Sequence, residues 1–133
     1  MSFDLRVHAR VVRPSWNLAA AEAFWVAGVG FEVLWRQDST PADPGRRVMV
    51  GFAGGGWHVE LVHDPFAAGP DAPNPAEQLV VYLGPLLDDE CIRRIERYGG
   101  VRLPPTGPDA EPDSVAFLDP DGYRVQLQRR YWP

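Results

Sequence analysis

The spacing of apolar residues changes along the first part of the chain from the period of a strand to that of a helix. Residues 4–13 alternate between apolar and polar side chains, which is typical of a β-strand with one buried face. Asn17 is a suitable N-cap for the alanine-rich residues 18–27, and Gly28 and Gly30 follow their end. The apolar positions of this helix share one face: Leu18, Ala21 and Trp25.

The same order of predicted elements occurs twice along the chain. The strands predicted after the first helix cover residues 31–35, 47–52 and 57–62. The second set consists of a strand over 78–83, a helix over 88–98 and strands over 101–103, 114–118 and 123–130. The predicted apolar face of the second helix contains Leu87, Cys91, Ile95 and Tyr98. Residues 64–76, between the two sets, hold four prolines and show no apolar period, which indicates a linker.

Short sequence matches support an internal duplication. Gly56–Leu61 matches Gly122–Leu127, and Gly30–Val33 matches Gly100–Leu103 in the same relative order. The same shift places His8 against Gln78. Two tandem βαβββ modules in one α+β domain explain this order. The predicted organisation is a single domain, residues 1–133, with module one at about 4–63, the linker at about 64–76 and module two at about 77–131.

Composition excludes several classes of function. The chain of 133 residues has a formal net charge of −5 and no basic cluster, so nucleic acid is not expected as a partner. No apolar run approaches the roughly 20 residues that span a bilayer, and the polar N-terminus is unlike a signal peptide. We therefore expect a cytoplasmic protein with no membrane partner. The single cysteine, Cys91, excludes an internal disulfide, and the absence of lysine excludes Schiff-base chemistry and a P-loop.

Three segments together resemble one known superfamily. They are the closing hairpin Phe117–Leu127 with its Asp-Pro-Asp-Gly turn, the helical segment Asn17–Trp25 and the glycine-led strand Gly30–Trp35. In this order they resemble the vicinal oxygen chelate superfamily (glyoxalase, bleomycin resistance protein and dioxygenase), as a glyoxalase-like member of unassigned substrate. The resemblance implies that the two modules form a curved, eight-stranded mixed sheet around a trough, with the helices on the outer face.

The resemblance also implies a metal site in the trough. It places up to four ligands of a divalent metal (Zn, Ni, Mn, Fe or Co) at His8, Glu60, Gln78 and Gln126. Two of these are neutral amides, and an amide in place of a carboxylate removes charge from the ligand set, so the metal site is expected to be weakened or absent. In an alternative register the first strand slides by two residues and places Arg10 at the ligand position. An arginine there excludes a cation and favours an anionic ligand.

Strand parity independently points the polar side chains into the trough, away from the apolar set that faces the helices. Glu60 lies between apolar neighbours, so it is predicted to act as a metal ligand or a general base, unless it is an ion-pair partner of Arg10 or Arg124. The residues predicted to bind a small molecule are Arg10, Gln78, Tyr82 and Gln126. His58 has the same parity as Glu60, but it lies beside a glycine-rich turn and is predicted to be exposed. Cys91 is predicted to be a small core residue.

Two functions of different classes follow from these residues and the resemblance. The first is a glyoxalase/bleomycin-resistance-like protein that binds a small organic molecule in the trough and has a degenerate metal site. The alternative is a divalent-metal-dependent lyase or isomerase of the glyoxalase type, in which Glu60 moves a proton. A ring-cleaving dioxygenase is less favoured, because Gln78 stands where its second histidine is expected. The resemblance further implies a homodimer.

Overall fold

Each half of the chain consists of one strand, one helix and three further strands, as the duplication predicts. The structure is a computed structural model that describes residues 6–63, 73–105 and 113–133. The first half contains β1 (Ala9–Pro14), α1 (Leu18–Ala23), β2 (Glu32–Gln37), β3 (Arg46–Gly51) and β4 (Trp57–His63). The second half contains β5 (Gln78–Tyr82), α2 (Asp89–Arg97), β6 (Val101–Leu103), β7 (Ser114–Leu118) and β8 (Arg124–Gln128). Most of the predicted linker, residues 64–72, lies outside the described residues.

The strands form two four-stranded mixed sheets with the same topology. Their orders are β1-β4-β3-β2 and β5-β8-β7-β6, and in each sheet the first pair is parallel and the other two are antiparallel. The prediction of an α+β fold from tandem βαβββ modules is confirmed. Within the described ranges β1 and β5 are edge strands, because each pairs on one side only. None of the helices in these ranges is long and apolar enough to cross a membrane.

The first helix begins as predicted but ends differently. The Asn17 side chain accepts a hydrogen bond from the backbone N–H of Ala20, so it is the N-cap of α1. After six α-helical residues the backbone widens into a π-helical segment, Phe24–Val29, which ends at Gly30. Gly30 has a φ of 99°, a left-handed conformation that glycine adopts at little cost. The predicted apolar face is confirmed, since Leu18, Ala21 and Trp25 are buried.

The helical segments of the two modules pack against each other inside one apolar core. Gly28, in the π-helical segment, lies so close to α2 that a Cβ atom placed on it would be 3.2 Å from Ile95 Cα. Cys91 is fully buried on α2, which confirms its prediction as a core residue, and burial raises the pKa of its thiol. The prediction that Tyr98 shares this buried face is wrong, because the residue is 40% exposed at the C-terminal end of α2.

The pairing of β1 corrects the alignment that placed His8 against Gln78. Arg10 lies opposite His58 on β4, just as Gln78 lies opposite Arg124 on β8. Arg10, not His8, is therefore the counterpart of Gln78, and the structure has the second of the two registers that the sequence left open. The physical reason is the length of the first strand. β1 continues to Pro14 and is longer than β5, its counterpart in module two, so the chain runs further before it turns into the helix.

Candidate functional site

The face of each sheet that points away from the core is called here its open face. On module one, the registers align Val12, Glu60, Met49 and Trp35 in one row across β1, β4, β3 and β2. The neighbouring residues Val59 and Leu61 point to the opposite side and are buried in the core. Val12 and Trp35 are 55% and 46% exposed, so large apolar side chains flank the carboxylate in this row.

Two guanidinium groups contact the buried carboxylate of Glu60. Arg10 Nη1 is 3.3 Å from Glu60 Oε2, and Arg47 Nε is 3.8 Å from Glu60 Oε1. Arg10 comes from β1 and Arg47 from β3, the two strands that flank β4, and both side chains remain about half exposed. A buried carboxylate requires such partners, because an unpaired charge in this position would be costly to desolvate. The predicted ion pair of Glu60 with Arg10 is present.

Arg10 also connects Glu60 to a pair of histidines. Its Nε donates to His58 Nε2 at 3.2 Å, so that nitrogen is unprotonated, and neutral His58 carries its proton on Nδ1. His58 Nδ1 then donates to His8 Nε2. Burial, followed by the nearby His8 and Arg10, lowers the pKa of His58 and favours this neutral form. The prediction that His58 is exposed is wrong, because the side chains of His8 and Arg10 both contact it and the residue is 8% exposed.

The open face of module two is polar but carries no carboxylate opposite Glu60. Gln126 occupies the equivalent position on β8 and is buried, and its Nε2 donates to Ser114 Oγ at 3.1 Å. Gln78 lies at the edge of this face on β5, opposite Arg124. This module therefore offers neutral hydrogen-bonding amides and one arginine where module one has an ion-paired carboxylate.

Tyr82 lies at an aromatic pocket where the two modules meet. The pocket has a volume of about 280 Å³ and is lined by Phe52, Trp57, Val80, Val81, Tyr82 and Trp132. The rings of Tyr82 and Trp132 are in edge-to-face contact with centroids 5.2 Å apart, and the guanidinium of Arg130 lies 5.9 Å from the Tyr82 centroid. An aromatic pocket of this kind suits a flat organic group.

The predicted site residues thus fall into separate groups. His8, Arg10 and Glu60 belong to one hydrogen-bonded chain on module one, whereas Gln78 and Gln126 lie on the sheet of module two. No hydrogen bond or ion pair between described residues joins these two groups. The sequence analysis did not identify Arg47 as a site residue. In the β3–β4 pairing Arg47 lies opposite Val62 and diagonal to Glu60, and only this register brings it to the carboxylate.

The fold and site define a two-module βαβββ protein whose sheets each present a polar open face. A family model described as the Glyoxalase/Bleomycin resistance protein/Dioxygenase superfamily matches residues 9–127. The chain belongs to this superfamily. No curated protein matches it.

Solved structures with the same fold have low sequence identity to this chain. The YycE protein from Bacillus subtilis is 19% identical, with a TM-score of 0.78 and coverage of 96% of this chain and 93% of its own. The antibiotic binding protein TnmS3 from Streptomyces sp. CB03234 is 24% identical, with a TM-score of 0.63 and coverage of 92% and 93%. The fosfomycin resistance protein FosX from Listeria monocytogenes, complexed with Mn(II) and a dihydroxypropylphosphonic acid, is 15% identical, with a TM-score of 0.68 and coverage of 92% and 90%.

The side chains at the expected metal position do not fit a divalent cation. The superfamily implies ligands at His8, Glu60, Gln78 and Gln126, but Arg10 contacts both His58 and Glu60 and so places a positive charge between the imidazole and the carboxylate. In the described part of the chain no three histidine, cysteine, aspartate or glutamate side chains come together. A guanidinium at this position repels a metal ion and neutralises its best oxygen ligand.

Proposed function

We propose that this protein binds a small organic molecule on its open faces without a resident metal. The observation that carries the proposal is the contact of Arg10 with both His58 and Glu60, since it replaces the charge that a bound cation would supply. Exposed apolar side chains beside this polar group add the contact area that a small ligand needs. TnmS3, which shares the fold, is an antibiotic binding protein, and this agrees with a binding role.

The binding function is tested by thermal unfolding of the metal-stripped protein. Neutral, anionic and cationic aromatic compounds are added to protein in EDTA, and a concentration-dependent rise in Tm is expected for at least one class. The same series is repeated with Mn(II), Ni(II) or Zn(II) in place of EDTA, with no further rise expected. If no compound raises Tm in EDTA but one does so with a metal, the proposal is wrong.

The second candidate is a metal-dependent lyase or isomerase in which Glu60 moves a proton. FosX, which shares the fold, is complexed with Mn(II), and Glu60 is a buried carboxylate on the open face. This candidate requires Arg10 to leave Glu60 before a metal could use the carboxylate. Elemental analysis of protein purified without chelator separates the two candidates, because stoichiometric Mn, Ni, Zn, Fe or Co supports the enzyme, and a metal-free protein supports the binding function.

We further propose that two copies of the chain form a homodimer through the edges of β1 and β5. Among the described residues these edges have no strand partner, and they carry Val12 and Val80 as exposed apolar side chains on the open faces. Pairing β1 of one copy with β5 of the other would place the open face of module one beside that of module two. Arg10 and Glu60 would then share one site with Gln78 and Gln126 of a second chain.

A further inference from the structure

We infer that the open face of module one binds a flat organic anion, with its carboxylate on the exposed guanidinium of Arg47 and its apolar body against Val12, Met49 and Trp35. This inference rests on the proposed binding function and adds the chemical class of the ligand.

The charge on this face is positive although the chain as a whole is acidic. Arg10 and Arg47 flank one carboxylate, Glu60, so the group carries one excess positive charge within a protein of formal net charge −5. The lowered pKa of His58 favours its neutral form, so this imidazole adds no charge of its own to the group. Glu32, also on the open face, lies on β2 at the far edge, roughly 14 Å from β1 at the usual spacing of strands. The Asp43 carboxylate accepts a hydrogen bond from Gln37, the residue opposite Arg47, at 2.9 Å.

Both guanidinium groups have donors to offer a ligand. Arg10 and Arg47 contact Glu60 from opposite sides, and their side chains are 49% and 43% exposed. A guanidinium presents a planar fork of N–H groups that matches a carboxylate, so a half-exposed arginine with N–H groups turned to solvent favours an oxyanion over a neutral group. The distance from Arg47 Nε to Glu60 Oε1 is 3.8 Å, too long for a hydrogen bond, so Arg47 binds Glu60 more weakly than Arg10 does. Arg47 is therefore the arginine better able to bind a ligand.

The apolar part of the ligand is indicated by the row that contains Glu60. Val12, Met49 and Trp35 lie across β1, β3 and β2 in this row, and none of them points into the core. Exposed valine and tryptophan side chains beside two arginines favour a ring that covers them while its charged end reaches the guanidinium groups. A flat aromatic carboxylate satisfies both requirements.

The test is a calorimetric titration in EDTA with naphthalene-2-carboxylate and its neutral analogue naphthalene-2-carboxamide. We expect the carboxylate to bind about tenfold tighter than the carboxamide to the unaltered protein, since it alone makes charge-assisted hydrogen bonds. Arg47→Gln should weaken carboxylate binding about tenfold and leave carboxamide binding unchanged. Arg47→Lys keeps the charge but loses the planar fork, so its affinity for the carboxylate should lie between those of the unaltered protein and Arg47→Gln.

A matched control is available on the neighbouring strand. Arg36 on β2 has the same side-chain exposure as Arg47, 43%, but faces the helix side and pairs with Glu22 at 2.7 Å. Arg36→Gln removes the same charge from the protein without altering the open face, so it should leave both affinities unchanged. Equal weakening by Arg36→Gln and Arg47→Gln would show only a general charge effect and would overturn the inference.

The two proposals fail in different ways. If the carboxamide binds as tightly as the carboxylate and Arg47→Gln changes neither affinity, the ligand is not an anion, and the binding function itself stands. If neither compound binds to any of the four proteins, the inference is wrong, and the outcome of the wider compound series in EDTA decides the binding function separately.

Discussion

Arg10 contacts the His58 imidazole and the Glu60 carboxylate at once, so its charge is one of those that oppose protonation of His58. The pKa of His58 is lowered by burial and by His8 and Arg10, and raised by Glu60. Arg10→Gln removes one of the positive charges that oppose protonation, so the pKa of His58 should rise. The measurement is a pH titration of the His58 ring signals by NMR, with Arg36→Gln as the control, in which the midpoint should not move. An unchanged His58 midpoint in Arg10→Gln would contradict the described contact.

A second residue-scale prediction concerns the buried carboxyl of Asp119 in the β7–β8 turn. Its Oδ1 accepts from the backbone N–H groups of Asp121 and Tyr123, yet burial raises its pKa from 3.8 to about 6. The folded state therefore holds this proton more tightly than the unfolded state, and the free energy of unfolding should fall as pH rises from 3.8 to about 6. At neutral pH this loss in the free energy of unfolding amounts to about 3 kcal/mol.

Asp119→Asn isolates this effect because asparagine keeps an oxygen acceptor and removes the charge. The variant should be more stable than the unaltered protein at pH 7.5 and should lose that advantage as the pH approaches 4. Urea unfolding at a series of pH values measures the difference. A variant that is less stable by the same amount at every pH would show that the turn needs the carboxylate, and the prediction would be wrong.

At the scale of single residues, strand parity predicted which side chains leave the core, but not which of them meet. Glu60 was expected to be paired, and Arg10 was one of its two predicted partners. The burial of His58 could not be predicted, because it depends on contacts with His8 and Arg10, about 50 positions earlier in the chain. The same holds for Arg47, whose approach to Glu60 depends on the pairing of two strands.

At the scale of elements, the contact between the helical segments depends on glycines. A Cβ atom at Gly100 would lie 2.6 Å from Ile95 Cγ2, 2.9 Å from Ile95 O and 3.1 Å from Phe24. Gly100→Ala should therefore destabilise the protein by about 1–3 kcal/mol, because backbone and core side chains must move. Gly56→Ala is the control, since its nearest neighbour is at 3.8 Å. Equal urea midpoints for the two variants would contradict the close packing.

Most elements could be predicted, because their local signals agree with the tertiary structure. Asn17 and Asp88 were predicted to be N-caps from their residue types. Both are N-caps in the structure, and both side chains accept the expected backbone hydrogen bond. The π-helical segment Phe24–Val29 could not be predicted, since the apolar residues buried by an α-helix and by this segment are nearly the same.

At the scale of the whole molecule, the duplication predicted two equal modules, and the two sheets have identical strand order. The sequence could not specify how the modules are joined, because the repeat describes each module and not the contact between them. The alignment error at His8 arises within module one, since a longer β1 shifts the register without disturbing the repeat elsewhere.

The proposed dimer gives a prediction at this scale. Val80→Lys places a charge on the edge strand β5, where the second copy is proposed to bind, and should shift the protein from dimer to monomer. Val101→Lys is the control, because Val101 is also exposed on the open face but lies on β6 at the opposite edge of the same sheet. Light scattering after size-exclusion chromatography measures the mass. A monomeric unaltered protein, or equal dissociation by both variants, would contradict the proposal.

Metal-independent binding on the open face of module one is tested most directly by the methyl signal of Met49. The sequence contains only two methionines, Met1 and Met49, and Met49 lies between Glu60 and Trp35 in the open-face row. With ¹³C-methyl methionine in metal-stripped protein, the Met49 signal should shift in a saturable way on addition of naphthalene-2-carboxylate, and Mn(II) alone should not broaden it. Broadening by stoichiometric Mn(II), together with a ligand shift that appears only after the metal is added, would contradict the account.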